Sequence, residues 1–176
     1  MGVIICCNDF IVDGDNVLSY LNFNFVSNGF FPPINVTKYP NLHLNMYIPA
    51  EVSAGLGFEV ELKDFGPNGI DGGGDDSLQT MRYNTNDFKA NTWVTLDFPL
   101  TMSNRSNIGF IIYRTINGSS KLESFYLDNI YFYDNGIAGP KPAPDDAPEK
   151  PTEDVVTNKV ISIFSDAYTD VPNSGL

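Results

Sequence analysis

The chain has 176 residues, of which 42% are hydrophobic and 13% aromatic, and it carries a formal net charge of −12. This length suits one packed domain, and the acidity argues against nucleic acid as a partner, because like charges repel. Every apolar run is shorter than the roughly 18 residues of a spanning helix, so membrane insertion is not expected. Cys6 and Cys7 are adjacent, which rules out a disulfide between distant parts of the fold.

Short apolar runs alternate with turn signals from about residue 10 to residue 134, and a period of two predicts β-strands. The first run, residues 16–28, is predicted to be one strand with Val17, Ser19, Leu21, Phe23 and Phe25 on one face and Leu18, Tyr20, Asn22 and Asn24 on the other. Residues 77–84 are compatible with a helical turn instead. Further strands are predicted within 41–49, 57–65, 92–100, 107–115 and 124–134. This pattern is typical of an all-β, antiparallel β-sandwich.

The composition changes after Asn135. Residues 136–159 contain five of the twelve prolines and no aromatic residue, so they are predicted to form an extended, acidic linker. Beyond the linker, the run VISIF at residues 160–164 again favours a strand. The predicted organisation is a β-sandwich module at 1–135, a linker at 136–159 and a further strand within 160–176.

Several segments, taken in order, resemble a β-sandwich module of secreted Bacteroidetes proteins, similar to carbohydrate-binding and galactose-binding-like jelly rolls. They are NLHLNMYIP, ELKDFGPNGIDGGGDDS, NTWVTLDFPL, SNIGFII and FYLDNIYFYD. Such modules are appended to family-16 glycoside hydrolases and to surface glycan-binding proteins. The resemblance covers roughly residues 10–134 and implies a secreted or outer-surface location.

In the resembled family the module opens with a strand like VISIFSDAYTDV, which here stands at residues 160–171. The resemblance therefore implies that module 1–135 lacks its first strand, and that 160–176 opens a following copy in a tandem array. A further hypothesis is that this strand folds back into the vacant first-strand position, because the linker is long enough to reach it.

Catalysis is not expected from this segment. The chain has one histidine, and the acidic pattern E-x-D-x-x-E of family-16 hydrolases is absent. Glu59 and Glu61 share one face of a predicted strand, which brings two carboxylates together as glycoside hydrolysis requires. The alternative is a solvated strand face balanced by Lys63.

Two places offer hard oxygen ligands for a structural Ca²⁺. The first is the loop DFGPNGIDGGGDDS, with Asp64, Asn68, Asp71, Asp75 and Asp76, whose alternative role is turn formation. The second follows from the resemblance, in which Asp128 near the last strand binds calcium with acids of the first strand, here Asp166 and Asp170. The alternative for Asp128 is a carboxylate that accepts backbone hydrogen bonds.

Sugar binding requires flat aromatic faces with hydrogen-bonding neighbours. Tyr47, Asn45 and His43 are predicted to share the polar face of one strand, with His43 exposed, and isolated exposed tyrosines are also ordinary. Arg82, Tyr83, Tyr113 and Arg114 are further candidates, whereas Trp93 is predicted to pack in the core.

These observations predict a non-catalytic module that binds a neutral β-glucan such as laminarin, covalently linked to neighbouring modules whose tandem copies strengthen weak binding. Two alternatives stay open, namely a structural spacer in a multidomain surface protein and a fragment of a family-16 hydrolase.

Overall fold

The computed structural model describes residues 8–12, 15–21, 23, 25–49, 57–116, 124–134, 160–164 and 170–172. In these ranges the chain forms ten strands and one short 3-10 turn, with no α-helix. The strands are β1 (Asn8–Val12), β2 (Asp15–Leu21), β3 (Phe25–Ile34), β4 (Asn41–Tyr47), β5 (Gly57–Asp64), β6 (Ser77–Asn84), β7 (Trp93–Pro99), β8 (Ile108–Ile116), β9 (Ser124–Tyr133) and β10 (Val160–Phe164). No helix in the described ranges has the length and apolar character needed to cross a bilayer.

The strands form two antiparallel sheets packed as a sandwich, which confirms the predicted all-β fold. Sheet A has the order β1-β2-β9-β4-β7, and β10 also pairs with β9. Sheet B has the order β3-β8-β5-β6. β4 and β9 lie centrally in sheet A, and β8 and β5 lie centrally in sheet B. Alternate side chains of these four strands therefore face the opposite sheet and build the core.

Aromatic rings dominate the space between the sheets. Tyr20 stacks on Phe125 with ring centroids 4.8 Å apart, and Phe23 meets Phe125 edge-on at 4.5 Å. Phe58 of sheet B stacks on Tyr113 at 6.2 Å and meets Phe125 of sheet A edge-on at 5.6 Å, and all five rings are fully buried. Offset and edge-on aromatic pairs add stabilisation beyond their buried area, so this cluster ties the two sheets together.

The structure corrects the prediction of one strand at 16–28. The chain leaves sheet A after Leu21 and enters sheet B at Phe25, so the alternation restarts between the sheets. Leu18 and Tyr20 share a face as predicted, but Phe23, predicted on the opposite face, is buried in the same core, and Phe25, grouped with Phe23, is 51% exposed.

The helical turn considered for 77–84 is also wrong. These residues form β6, which pairs along its whole length with β5, from Gly57↔Asn84 to Asp64↔Ser77. Eight continuous pairings to a neighbouring strand outweigh a weak local preference.

Strand β10 pairs antiparallel with β9, from Val160↔Tyr133 to Phe164↔Ile130, and Ile163 is buried in the core cluster. Since β2 pairs with residues 124–127 of β9, β2 and β10 lie end to end along one edge of β9. The fold-back hypothesis requires this placement. The module boundaries, and the assignment of β10 to a following copy, stay predictions, because residues 135–159 lie outside the described ranges.

Candidate functional site

The outer face of sheet B presents side chains in rows that run across its strands. In the first row, Phe25 lies opposite Arg114, Arg114 opposite Glu59, and Glu59 opposite Arg82. With strands about 4.8 Å apart, the row spans about 14 Å. We call these four residues the Arg–Glu row.

Ion pairs fix the orientation of the Arg–Glu row. Arg82 Nε lies 2.8 Å from Glu59 Oε2, and Arg114 Nε lies 3.1 Å from Glu59 Oε1. Arg114 Nη2 also donates to Glu61 Oε1 at 2.7 Å, and the Thr80 hydroxyl donates to Glu61 Oε2 at 3.2 Å. A guanidinium held by a carboxylate keeps its planar donors in a defined direction.

The row combines a buried acceptor with exposed donors and an exposed ring. Glu59 is buried, whereas the Arg82 side chain is 67% exposed and Phe25 is 51% exposed. Within the described residues Glu59 is the ion-pair partner of Arg82 and is reached through Nε. The terminal nitrogens of Arg82 are therefore placed to donate to a ligand on the surface.

The Arg–Glu row and the neighbouring Glu61 are together neutral, although the chain as a whole is acidic. Two arginines pair with two glutamates here, so their charges cancel, whereas the chain carries −12. Lys63 does not balance these glutamates, contrary to the predicted alternative. It pairs with Asp71 and with Asp76, the latter at 2.9 Å, and both hydrogen bonds raise the pKa of Lys63.

A second and a third row continue the same face. Glu61 lies in register with Ile112 and Thr80, and Lys63 lies in register with Phe110 and Leu78. Beyond them Phe31 is strongly exposed and contacts the rings of Phe110 and Phe65. Polar groups are thus flanked by apolar ones along the strands.

The structure does not bring all predicted sugar-binding residues onto one surface. Arg82 and Arg114 lie on the outer face of sheet B. Tyr83 points the other way, against Phe88 and Phe98, and burial raises its pKa strongly. Tyr113 is fully buried between Tyr20 and Phe58, so it is not accessible to a sugar.

Tyr47, Asn45 and His43 do share a face, the outer face of sheet A, as their alternation predicts. Tyr47 is half-buried against Trp93, at 5.4 Å, and Tyr126. His43 and Asn45 are buried, contrary to the expectation of an exposed histidine. The Tyr131 ring stacks on the imidazole at 4.7 Å and contributes to that burial.

Asp97 completes a polar network on this face. His43 Nδ1 lies 2.8 Å from Asp97 Oδ1, and the Tyr133 hydroxyl donates to the same oxygen at 3.1 Å. Partial burial opposes ionisation of Asp97, yet its contacts with His43 and Tyr133 lower its pKa overall. Burial, followed by the charge of Asp97, raises the pKa of Tyr133 to about 12. This network is suited to stabilising the sheet surface.

The carboxylates of the glycine-rich loop contact N–H donors. Asp64 accepts from the backbone of Gly66 and Asn107 at 2.8 and 2.7 Å, and Asp75 accepts from Asn68. Gly66 has φ +69°, a conformation that favours glycine. These contacts agree with the turn-forming alternative. Asp71 and Asp76 pair with Lys63 as described above.

Asp128 lies in a bulge of β9 opposite β4 and is buried. Its carboxylate accepts from the backbone N–H of Asn129 at 2.6 Å, and Asn129 has φ +50°. Asp170 instead accepts from the Ser162 hydroxyl at 2.5 Å, and Asp166 lies outside the described residues. No group of three or more His, Cys, Asp or Glu in the described ranges is placed to hold a metal ion. Calcium binding at Asp128 or at the loop stays a prediction.

Comparisons with protein-family models, with curated proteins and with solved structures find no match for this chain. The resemblance to a carbohydrate-binding module therefore stays a prediction.

Two features of the surfaces escaped prediction from the sequence. Alternation groups Phe25 with Phe23 on one face of a single strand, because the break between β2 and β3 has no proline or glycine to mark it. Asp97 is not among the predicted site residues, although the alternation of Trp93, Thr95 and Asp97 along β7 places all three beside β4. The pairing register with the neighbouring strand is the information that places Phe25 and Asp97 on these surfaces.

Proposed function

We propose that this protein binds a neutral carbohydrate chain, a β-glucan such as laminarin, on the outer face of sheet B and without catalysing its cleavage. The observation that carries the proposal is the Arg–Glu row, in which exposed Phe25 and Arg82 flank ion-paired Arg114 and Glu59. An aromatic face packs against the C–H face of a sugar ring, and fixed guanidinium donors bind hydroxyl oxygens.

Charge supports a neutral ligand. A sulfated or uronic-acid chain would be repelled by a protein of net charge −12. The arginines of the row are already paired with glutamates, which leaves no excess positive charge for an anion. The neutral hydroxyl groups of a sugar, in contrast, can form hydrogen bonds with the donors and acceptors that these ion pairs leave available.

The row fits a tethering role in a secreted or surface protein that degrades polysaccharide. Arg82 and Phe25 lie on β6 and β3, the two outer strands of sheet B, so a ligand crossing the row contacts all four strands. The face is open, and open faces with few anchoring residues give weak binding that multiple copies strengthen.

Affinity electrophoresis tests the proposal. The full chain is run through gels containing laminarin, mixed-linkage glucan, xylan or agar, with Ca²⁺ and then with EDTA. We expect retardation on a β-glucan gel. Substitution Phe25→Ala or Arg82→Ala is expected to weaken binding about tenfold, since an aromatic contact or charged hydrogen bond contributes about 1.5 kcal/mol.

Two matched controls locate the site. Lys38→Ala removes one positive charge from an exposed loop, and Tyr47→Ala removes an aromatic ring from the outer face of sheet A. Both are expected to be retarded by the glucan as strongly as the parent chain, each variant being compared with its own migration in a gel without glucan. Loss of retardation in Tyr47→Ala but not in Phe25→Ala would move the site to sheet A. Free migration of the folded parent on every gel would favour the structural spacer.

A further inference from the structure

The geometry points to strand exchange: we infer that the edge of β9 at residues 130–133 is an acceptor site for β10 of a second copy of this chain as well as for its own. The contact seen in the structure is a compact strand–edge pairing. It consists of the register pairs Val160↔Tyr133, Ile161↔Phe132, Ser162↔Tyr131 and Phe164↔Ile130.

The acceptor edge recognises the strand through backbone and side chains together. β10 continues along the edge of β9 where β2 ends, and Ile163 enters the core. Val160 and Ser162 are also buried. Addition of an extended segment to a sheet edge derives affinity from main-chain hydrogen bonds and specificity from pockets for alternate side chains. A second copy offers the identical strand.

The attachment of β10 to its sheet is limited to one neighbour. Among the named strands β10 pairs with β9 alone, and its outer edge carries an isolated bridge from Ser162 to Asp170, with Val171 N donating to Ser162 O at 2.9 Å. The strand can therefore leave as a unit with residues 170–171, while the pairings among β1, β2, β9, β4 and β7 are kept.

The connection between β9 and β10 permits either arrangement. Residues 135–159 would span up to about 75 Å if extended, at about 3.1 Å per residue. A tether of this kind gives the strand an effective concentration in the millimolar range for its own edge. Exchange is therefore a minor reaction in dilute protein and becomes competitive where copies are concentrated or linked.

A cross-linking experiment distinguishes the two arrangements. Directly opposed residues of an antiparallel pair have Cα atoms about 4.5–5.5 Å apart, which suits a disulfide. One full-length chain carries Val160→Cys and a second, larger by an affinity tag, carries Tyr133→Cys. Cys6 and Cys7 are replaced by serine in both, and oxidised glutathione is the oxidant. A third chain carries both substitutions.

We expect the mixed single variants to form a disulfide-linked heterodimer. Early in the reaction, the ratio of heterodimer to monomer should rise about tenfold when the protein concentration is raised tenfold. The double variant is expected to close its disulfide within one chain. Val160→Cys mixed with Thr80→Cys, an exposed position on β6, is the control for random collision.

Absence of the heterodimer, under conditions in which the double variant closes internally, would overturn the proposal. Equal yield from the Thr80→Cys control, or failure of the double variant to close, would overturn it as well.

Discussion

His43 Nδ1 lies 2.8 Å from Asp97 Oδ1, across the register pair that joins β4 to β7 on the outer face of sheet A. The imidazole is fully buried, whereas the Asp97 side chain is 43% exposed. A buried N–H depends on its acceptor, because the desolvation of an unpaired N–H is not compensated. The pair therefore stabilises a surface that sequence alone would assign to ligand binding.

Asp97→Ala should lower the free energy of unfolding by about 1–3 kcal/mol, since it leaves a buried donor of His43 without this acceptor. Asp97→Asn retains an oxygen acceptor and is expected to cost less. Urea unfolding followed by tryptophan fluorescence measures both. An Asp97→Ala midpoint equal to that of the parent chain would contradict this role for the pair.

The pair also predicts a pH dependence. The pKa of Asp97 is lowered in the folded state, because the stabilising contacts to His43 and Tyr133 outweigh its burial. A carboxyl with a depressed folded pKa contributes stability above its unfolded value of about 3.9, and this contribution is lost as the pH falls below that value. The stability difference between the parent and Asp97→Asn should therefore shrink below about pH 4. A difference that stays constant down to the acid transition would disprove the assignment.

Gly109→Ala tests the packing of the loop end of sheet B. A Cβ at Gly109 would collide with the ring of Phe65, which is buried over β8. Overpacking of this kind costs about 1–3 kcal/mol. In the double variant Gly109→Ala/Phe65→Leu the smaller side chain relieves the collision, so the two changes should be less than additive. Strict additivity of the unfolding free energies would argue against the contact.

Much of the fold is readable from the sequence, but much of the site is not. The alternation in Asn41–Tyr47 and Gly57–Asp64 correctly predicts two strands. It also correctly predicts that His43, Asn45 and Tyr47 share one face and that Glu59 and Glu61 share another. The failures at residues 16–28 and 77–84 have one cause. Which sheet a strand joins, and which neighbour it pairs with, depends on contacts between residues far apart in the chain.

The same limit applies to the candidate site. Alternation identifies Glu59 and Glu61 as an outward pair, yet only the register to β6 and β8 reveals that Arg82 and Arg114 are their partners. Alternation likewise groups His43 with Tyr47, but it does not report that His43 is buried.

Asp64→Ala should detach the glycine-rich loop from the start of β8. The Asp64 carboxylate is fully buried and accepts from the backbone N–H groups of Gly66 and Asn107. Its removal leaves two donors without this acceptor and should lower the unfolding free energy by about 2–4 kcal/mol, at about 1–2 kcal/mol for each group. Asp75→Ala, in the exposed part of the loop, is the matched control and should cost less. Equal losses of unfolding free energy in Asp64→Ala and Asp75→Ala would contradict the prediction that the buried carboxylate contributes more.

The most direct test of the account is a nuclear magnetic resonance titration of the folded chain with a soluble laminarin oligosaccharide. The Nε–Hε signals of Arg82 and Arg114, together with the backbone amide of Phe25, report on the Arg–Glu row. We expect these signals to shift in a saturable manner while the amide signals of Tyr47 and Asp97 remain in place. Saturable shifts confined to the outer face of sheet A, or no shifts with any neutral glucan, would contradict it.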